Sequence, residues 1–213
     1  MTVRAFGDAA FLVELEQRID PAIVETARAL AELWERRGLG DAIPAYASVV
    51  LRFDVSRISV AEALAAAREL AAAVPQRPER PRRASSGGRL IEIPTTYNGP
   101  DLEETATRSG LTAAQLVAAH AGREYDAFFL GFMPGLAYCG LLDPAIVAPR
   151  LSSPRAHVPA GSVAVANGQT IVYPLDSPGG WRLIGRTDLV LFDARADPPA
   201  RIQPGDRVRF VPR

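Results

Sequence analysis

The stretch IVYPLDSPGGWRLIGRT, residues 171–187, consists of two short apolar segments on either side of a loop rich in proline and glycine. Short β-branched segments between such turns are typical of strands in an all-β barrel or sandwich. The loop places Trp181 directly after Gly179 and Gly180. Because glycine loses more backbone entropy on folding than other residues, we expect this loop to need a positive φ or a close approach to the main chain.

The same pattern of short apolar segments and turns continues on both sides of this stretch. From Tyr125 onward, apolar segments recur between proline and glycine turns, including DAFFLGF, VPAGSVAVA, LVLFD and RVRFV. Upstream, RLIEIP predicts a strand, and two capping signatures predict short helices that end near His120: Asp101 with Glu104, and Thr112 with Gln115. Residues 86–213 are therefore predicted to form a β-barrel domain.

The first part of the chain has a different pattern. Residues 1–15 predict a hairpin, and Asp20 followed by Pro21 predicts the start of a helix. A β-branched segment at 46–55 predicts a strand, and Ser59 begins a capping box in front of a second amphipathic helix. Residues 1–85 are therefore predicted to form an N-terminal α+β, sandwich-like domain.

The segment PQRPERPRRASSGG, residues 75–88, predicts a linker between these two domains. It is rich in proline, glycine and arginine and contains hardly any apolar side chain. Its arginines could form an anion-binding patch, although a solvated connector is the favoured interpretation: Arg77, Arg80, Arg82 and Arg83. The boundary is placed near residue 85.

Composition excludes several classes of function. The formal net charge is zero, which argues against a general binder of nucleic acid or membrane surfaces. The chain contains no apolar run long enough to span a membrane, and residues 1–20 lack the layout of a signal peptide. We therefore expect a cytoplasmic protein.

Cysteine, histidine and lysine usage narrows the chemistry further. With Cys139 as its one cysteine and only His120 and His157, the chain has no intramolecular disulfide and no zinc cluster of cysteine and histidine. We predict no metal site, although carboxylates alone could form one. All 24 basic residues are arginine, which excludes a Schiff-base lysine, a P-loop lysine and a biotinylated lysine in this chain.

Candidate functional residues lie between residues 120 and 187. Arg150 and Arg155 could clamp a carboxylate or phosphate, although surface ion pairs to Asp143 or Asp176 explain them equally well. The other candidates also have structural interpretations: a turn at Pro134 and Gly135, backbone hydrogen bonds for Gln169 and Tyr173, a helix cap for His120, and a plug at the barrel end for Trp181.

Taken together, several stretches closely resemble the family of allophanate hydrolase subunit 1, also called the KipI or PxpB family, the B subunits of 5-oxoprolinase. They are GFMPGLAYCGL, APRLSSPR, VPAGSVAVANGQTIVYPLDSPGGWRLIGRT, LFD and IQPGDRVRF, and upstream GDAAFLVEL, SVVLRFD and PTTYNGPDLEETATRSGL. The resemblance covers nearly the whole chain. One departure is Ile171, at a position often held by glycine, which could narrow a pocket.

The resemblance implies an N-terminal α+β domain followed by a C-terminal cyclophilin-like β-barrel, related to the carboxyltransferase part of urea carboxylase. It implies a KipA/PxpC-type partner and a PxpA-type subunit, which together resemble an ATP-dependent 5-oxoprolinase that converts 5-oxoproline to glutamate. ATP is then a cofactor of the complex, and no biotin is attached to this chain. Two alternatives stay open: a KipI-type inhibitor of a histidine kinase, and a subunit related to allophanate hydrolase or urea carboxylase.

On this interpretation the barrel rim contributes half of a composite site. Four side chains are expected to position an oxyanion, with His120 as a proton carrier: Arg155, Gln169, Tyr173 and Arg186. The expected substrate contacts are Pro134, Gly135, Ser162, Ser177, Gly179, Gly180 and Trp181. The glycines are expected to turn backbone N–H groups toward an anion or a partner, and Trp181 and Arg186 are expected to share one hollow.

Overall fold

The computed structural model describes residues 1–18, 20–74 and 88–213. Contacts between residues fall into two compact units, Met1–Arg83 and Ala84–Arg213. Apart from Gly88, the predicted linker lies outside the described residues, so its character and the domain boundary near residue 85 stay predictions.

The first unit has the α+β character that its sequence predicts. Its four strands form an antiparallel sheet of order β1-β2-β4-β3. In chain order the elements are β1 (Thr2–Ala5), β2 (Ala10–Glu14), α1 (Pro21–Arg36), β3 (Ala42–Pro44), β4 (Ser48–Arg52) and α2 (Val60–Ala73). The sequence predicted all of them except the three-residue edge strand β3.

Local chemistry explains where the two helices of this unit begin. The Asp20 carboxylate accepts a hydrogen bond from the Ala22 backbone N–H at the start of α1. Ser59 and Glu62 form both hydrogen bonds of a capping box at the start of α2. The apolar faces of both helices join the sheet in one core, in which Trp34 is fully buried and donates its indole N–H to the Arg52 carbonyl.

The second unit is built around a seven-stranded sheet of order β12-β9-β10-β7-β6-β13-β5. A separate pair, β8 with β11, is antiparallel. The elements are β5 (Leu90–Thr95), α3 (Leu102–Arg108), α4 (Ala113–Ala121), β6 (Glu124–Leu130), β7 (Ala137–Gly140), β8 (Arg155–Val158), β9 (Ser162–Ala166), β10 (Gln169–Val172), β11 (Ser177–Gly179), β12 (Arg182–Arg186) and β13 (Arg207–Pro212).

The two edges of this sheet meet, so the sheet is a nearly closed barrel. Beyond the end of β5, Thr96 and Arg186 of β12 exchange two backbone hydrogen bonds, each 2.9 Å long. Closure pairs backbone groups that an open edge would expose to solvent. The predicted barrel is confirmed.

The strands of the barrel contribute side chains to two separate apolar clusters. In β9, Val163 and Val165 join one cluster, whereas Ala164 and Ala166 join the other. Because successive side chains of a strand point to opposite faces, the clusters lie on opposite sides of the sheet. The first, the interior cluster, also receives apolar residues of α3 and α4. The second, the outer cluster, contains Trp181 and lies beside the candidate site.

Two local predictions for this unit are wrong. Residues 189–193, predicted as a strand, form only an isolated bridge between Phe192 and Ala200. Asp101 does not cap α3 with its side chain. Its carboxylate instead accepts a hydrogen bond from the Leu183 backbone N–H and pairs with Arg155, so tertiary partners replace the local one.

Candidate functional site

A hollow of about 270 Å³ opens beside the outer cluster. Its lining is mostly aromatic, aliphatic and proline side chains, with one charged side chain, that of Arg150. The lining residues are Phe132, Leu136, Tyr138, Arg150, Pro154, Ile171, Tyr173, Pro178, Gly179, Gly180 and Trp181. Four of these belong to the proline- and glycine-bearing loop at residues 178–181.

A close approach explains Gly179, the first glycine of that loop. A Cβ atom on Gly179 would lie 2.3 Å from the Tyr173 hydroxyl oxygen. A Cβ on Gly180 would lie no nearer than 3.7 Å to another atom, that of Pro154. Neither glycine is among those with positive φ. The loop therefore needs glycine at position 179 because the phenol of Tyr173 lies against its main chain.

Trp181 forms one wall of the hollow and is 5% exposed. Its ring meets that of Tyr138 edge to face, with centroids 5.8 Å apart. The guanidinium carbon of Arg150 lies 5.7 Å from the centroid of the Trp181 ring. This is the geometry of a cation–π contact, which keeps a positive charge at the mouth of an aromatic hollow.

The two tyrosines of the hollow keep their protons at neutral pH. Burial raises the pKa of both Tyr138 and Tyr173, and the nearby Arg150 only partly opposes this. Neutral phenols are hydrogen-bond donors as well as acceptors. The hollow therefore presents a cation and neutral phenols, which suits a ligand that carries negative charge.

Phe132 stands at the mouth of the hollow. It is 67% exposed and has a φ of 70°, in the left-handed region that an aromatic residue rarely adopts. Strained residues of this kind cluster at binding sites. Neither Phe132 nor Tyr138 is among the site residues predicted from the sequence, since each lies in a stretch that predicts only a strand or a turn.

Arg155 is not among the residues that line the hollow. Its guanidinium is bound by the carboxylate of Asp101. Its Nη2 lies 2.6 Å from Asp101 Oδ1, and its Nη1 donates to the Trp181 carbonyl at 3.4 Å. The expected alternatives, Asp143 and Asp176, pair with Arg123 and His157 instead. Of the two arginines that the sequence proposed as a clamp, only Arg150 faces the hollow.

Three other candidates have local hydrogen-bonding or buried positions outside the lining. The Ser162 hydroxyl donates to the Pro159 carbonyl at 2.7 Å, and the Ser177 hydroxyl to the Pro178 carbonyl at 3.1 Å. Gln169 is 4% exposed, and its side-chain nitrogen has no hydrogen-bond partner among the described residues. None of the three lines the hollow, so their predicted roles stay untested.

Pro134 and Gly135 form a turn, as the structural interpretation proposed. Gly135 has a φ of 78°, and a Cβ there would lie 2.7 Å from the Phe192 Cβ. The turn thus packs against the segment around Phe192, and neither of its two residues is part of the lining of the hollow. Only Phe132 and Leu136, on either side of the turn, contribute to the lining.

The expectation that Trp181 and Arg186 share a hollow is wrong. Trp181 lines the hollow and Arg186 does not. Arg186 ends β12, so strand geometry separates it from Trp181 by on the order of 15 Å. The barrel closure at Thr96 also fixes its backbone. Of the four predicted positioning residues, Tyr173 lines the hollow and Arg155 lies beside it, in contact with the Trp181 carbonyl, whereas Gln169 and Arg186 are not part of the lining; their predicted roles stay untested.

His120 lies at the interior cluster and is completely buried. Its Nδ1 is 2.7 Å from the Tyr97 hydroxyl, and its Nε2 is 2.9 Å from the Thr170 hydroxyl. The Thr170 hydroxyl also lies 3.2 Å from the Ala164 carbonyl, which accepts only, and this arrangement is consistent with a proton on Nε2 and with Nδ1 accepting from Tyr97. Burial lowers the pKa of His120 to about 3. These contacts suit a structural role, and the proposed proton transfer stays untested.

Two further features concern metals and membranes. Within residues 1–18, 20–74 and 88–213, no group of three or more histidine, cysteine, aspartate or glutamate residues could hold a metal ion. The helices in those same ranges are all too short or too polar to cross a bilayer.

Comparison with known families and proteins gives a consistent result. Residues 1–202 match the family "Carboxyltransferase domain, subdomain C and D". The 5-oxoprolinase B subunit of Bacillus subtilis (strain 168) is 36% identical over 225 residues, which cover 99% of this chain and 94% of that protein. The 5-oxoprolinase B subunit of Escherichia coli O157:H7 is 51% identical over 127 residues, 58% of each chain.

Solved structures agree on the fold. A crystal structure of TTHA0988 is 35% identical, with a TM-score of 0.80, and matches 100% of this chain but only 40% of its own. The Kluyveromyces lactis urea amidolyase has a TM-score of 0.76 at 20% identity, covering 99% of this chain and 15% of its own. The second likeness concerns the fold alone.

Proposed function

Because this chain belongs to the family of carboxyltransferase C and D domains that includes the B subunits of 5-oxoprolinase, we propose that it is such a B subunit. The observation that carries this proposal is the B. subtilis relative, which matches nearly the whole of both chains. The activity is the conversion of 5-oxo-L-proline, ATP and water to L-glutamate, ADP and phosphate.

The hollow supports a subunit that binds and does not complete the reaction alone. Its described lining offers one guanidinium, two phenols and apolar walls, and it includes neither a carboxylate nor a histidine. General acid–base catalysis needs a group that exchanges a proton near neutral pH. We therefore assign the missing groups to partner subunits of the KipA/PxpC and PxpA types.

Coupling to ATP explains why a composite site is needed. The lactam is an unstrained amide, and transfer of the γ-phosphoryl group to its oxygen makes the ring carbon open to attack by water. Addition of one water and cleavage of the ring C–N bond, with a proton delivered to nitrogen, then give the γ-acyl phosphate of glutamate, and a second water hydrolyses this acyl phosphate to glutamate and phosphate. The charge that develops on phosphate must be stabilised by arginines, N–H groups or a bound cation, mostly from the partners.

Reconstitution tests the proposal. The chain is purified alone, and also together with candidate PxpA-type and PxpC-type subunits, and 5-oxoproline-dependent release of phosphate from ATP is measured. We expect turnover only in the complete mixture, and loss of turnover when this chain is omitted. A mixture that works equally well without this chain would refute the assignment.

Two other outcomes of the reconstitution experiment would contradict the proposed function. Full activity of the chain alone would refute the shared site. Inactivity in every mixture, together with inhibition of histidine-kinase autophosphorylation by the chain, would favour the KipI-type alternative.

A further inference from the structure

We propose that Arg150 is the carboxylate-binding residue of this subunit, and that the hollow against Trp181 holds the ring of 5-oxo-L-proline. This rests on the proposed function for the identity of the ligand. The sequence offered Arg150 and Arg155 together as a possible clamp, and only Arg155 was predicted to belong to the composite site. The structure separates them, because the contacts of Arg155 are internal and those of Arg150 face the hollow.

Charge is the first argument. Asp101 neutralises Arg155, and Glu104 lies 2.9 Å from the buried Arg182. Among the described residues, no carboxylate forms an ion pair with Arg150, whose guanidinium lies over the Trp181 ring. A guanidinium held in place by an aromatic face keeps its N–H groups available for a carboxylate, which it can bind with two hydrogen bonds.

The walls of the hollow supply the second argument. Trp181, Tyr138 and Tyr173 offer flat aromatic surfaces, and Leu136 and Ile171 close the apolar floor. Such surfaces are stabilised when they cover a compact ring, and the ring of 5-oxoproline carries two CH₂ groups. 5-Oxoproline combines such a ring with one carboxylate, so its two ends match the two kinds of surface.

Size is the third argument. Ligand pockets commonly span roughly 300–1,000 Å³, so a hollow of about 270 Å³ is small. It suits a single small ring better than a nucleotide, which also carries several phosphates that one guanidinium would not neutralise. We therefore infer that the hollow selects the organic acid, and that ATP binds elsewhere in the complex.

The test uses two ligands that differ only in charge. Binding of 5-oxo-L-proline and of the neutral 5-oxo-L-prolinamide is measured by isothermal titration calorimetry, first with the chain and then with the reconstituted complex. We expect the acid to bind and the amide to bind about tenfold more weakly or worse, the scale of one lost charge-assisted hydrogen bond. Equal affinity for acid and amide would overturn the proposal.

A variant and its matched control identify the arginine responsible. Arg150→Met keeps an apolar side chain near Trp181 and removes the charge, so we expect the affinity for the acid to fall about tenfold or more. Arg195→Met removes an exposed arginine of the same unit outside the hollow and should leave it unchanged. Unfolding temperatures of both variants verify that they fold. Unchanged affinity in Arg150→Met, or no binding by chain or complex, refutes the proposal.

Failure of this proposal can be told apart from failure of the proposed function. Turnover by a complex that carries Arg150→Met, with unchanged KM for 5-oxoproline, would leave the subunit assignment intact and remove Arg150. Binding that depends on Arg150, with no turnover in any mixture, would keep the carboxylate site and refute the 5-oxoprolinase role.

Discussion

At the scale of single residues, the most specific constraint is the contact between Tyr173 and Gly179. The phenol oxygen occupies the space where a side chain at position 179 would begin. The two residues belong to neighbouring parts of one chain segment, yet they form a wall of the hollow together. A small change here therefore alters both stability and the shape of the candidate site.

Gly179→Ala is expected to lower the free energy of unfolding by about 1–3 kcal/mol, the usual cost of overpacking a well-packed site. The reason is the contact of 2.3 Å that its Cβ would make with the Tyr173 hydroxyl. Urea unfolding followed by circular dichroism measures this change.

Gly180→Ala is the matched control. Its Cβ would meet Pro154 at 3.7 Å, an ordinary contact, so its stability should differ little from that of the unchanged chain. In the Gly179→Ala background, Tyr173→Phe removes the clashing oxygen and should restore part of the loss. Equal effects of the two alanine substitutions would contradict this account of the loop.

At the scale of elements, Asp101 connects three parts of the second unit. Its carboxylate binds the Leu183 backbone N–H at the start of β12 and Arg155 at the start of β8, while its backbone begins α3. Asp101 is 5% exposed. A buried carboxylate is costly unless it is paired, so its partners determine how these elements pack.

Arg155→Met should therefore lower the free energy of unfolding by about 1–3 kcal/mol, because the buried Asp101 carboxylate loses its cationic partner. Thermal and urea unfolding measure the loss. In a double-mutant cycle with Asp101→Asn, the two losses should add up to more than the loss of the double variant. Additive losses would show that the pair does not couple these elements.

In the reconstituted complex, the same Arg155→Met variant separates structure from catalysis. If Arg155 has only a structural role, turnover should decrease in proportion to the fraction of folded protein, and KM should stay unchanged. A large loss of turnover in a fully folded variant would instead support the catalytic role that sequence analysis gave to Arg155.

At the scale of the whole molecule, His120 links the stability of the barrel unit to pH. Burial lowers the pKa of this histidine from its usual 6.5 to about 3. The unfolded chain therefore binds one proton more than the folded chain between these two values. The contribution of His120 to the free energy of unfolding is therefore fully present above about pH 6.5. It decreases as the pH falls from about 6.5 toward 3.

Between pH 6.5 and 5 we expect a loss of about 1.6 kcal/mol from this histidine, since a full proton contributes about 1.4 kcal/mol per pH unit and the unfolded histidine is half protonated at pH 6.5. Urea unfolding at a series of pH values measures the slope. His120→Gln, which can still form hydrogen bonds, should be less stable at pH 7 but should lose this slope. An unchanged slope in the variant would assign the effect to other groups.

Sequence alone determined most of the elements and their class, because caps, turns and apolar periodicity act over a few neighbouring residues. The start of α1 at Asp20, the capping boxes at Ser59 and Thr112 and six of the seven strands of the barrel sheet follow from such local signals, whereas β7 was not predicted. The resemblance of the motifs likewise indicated the family.

Only the tertiary structure decided which of these residues meet. It paired Arg155 with Asp101, a contact between residues far apart in the chain, and left Arg150 over Trp181. It also placed Arg186 at the barrel closure and His120 in the interior. The physical reason is that ion pairs and pockets depend on distances across strands, which spacing along the chain does not encode.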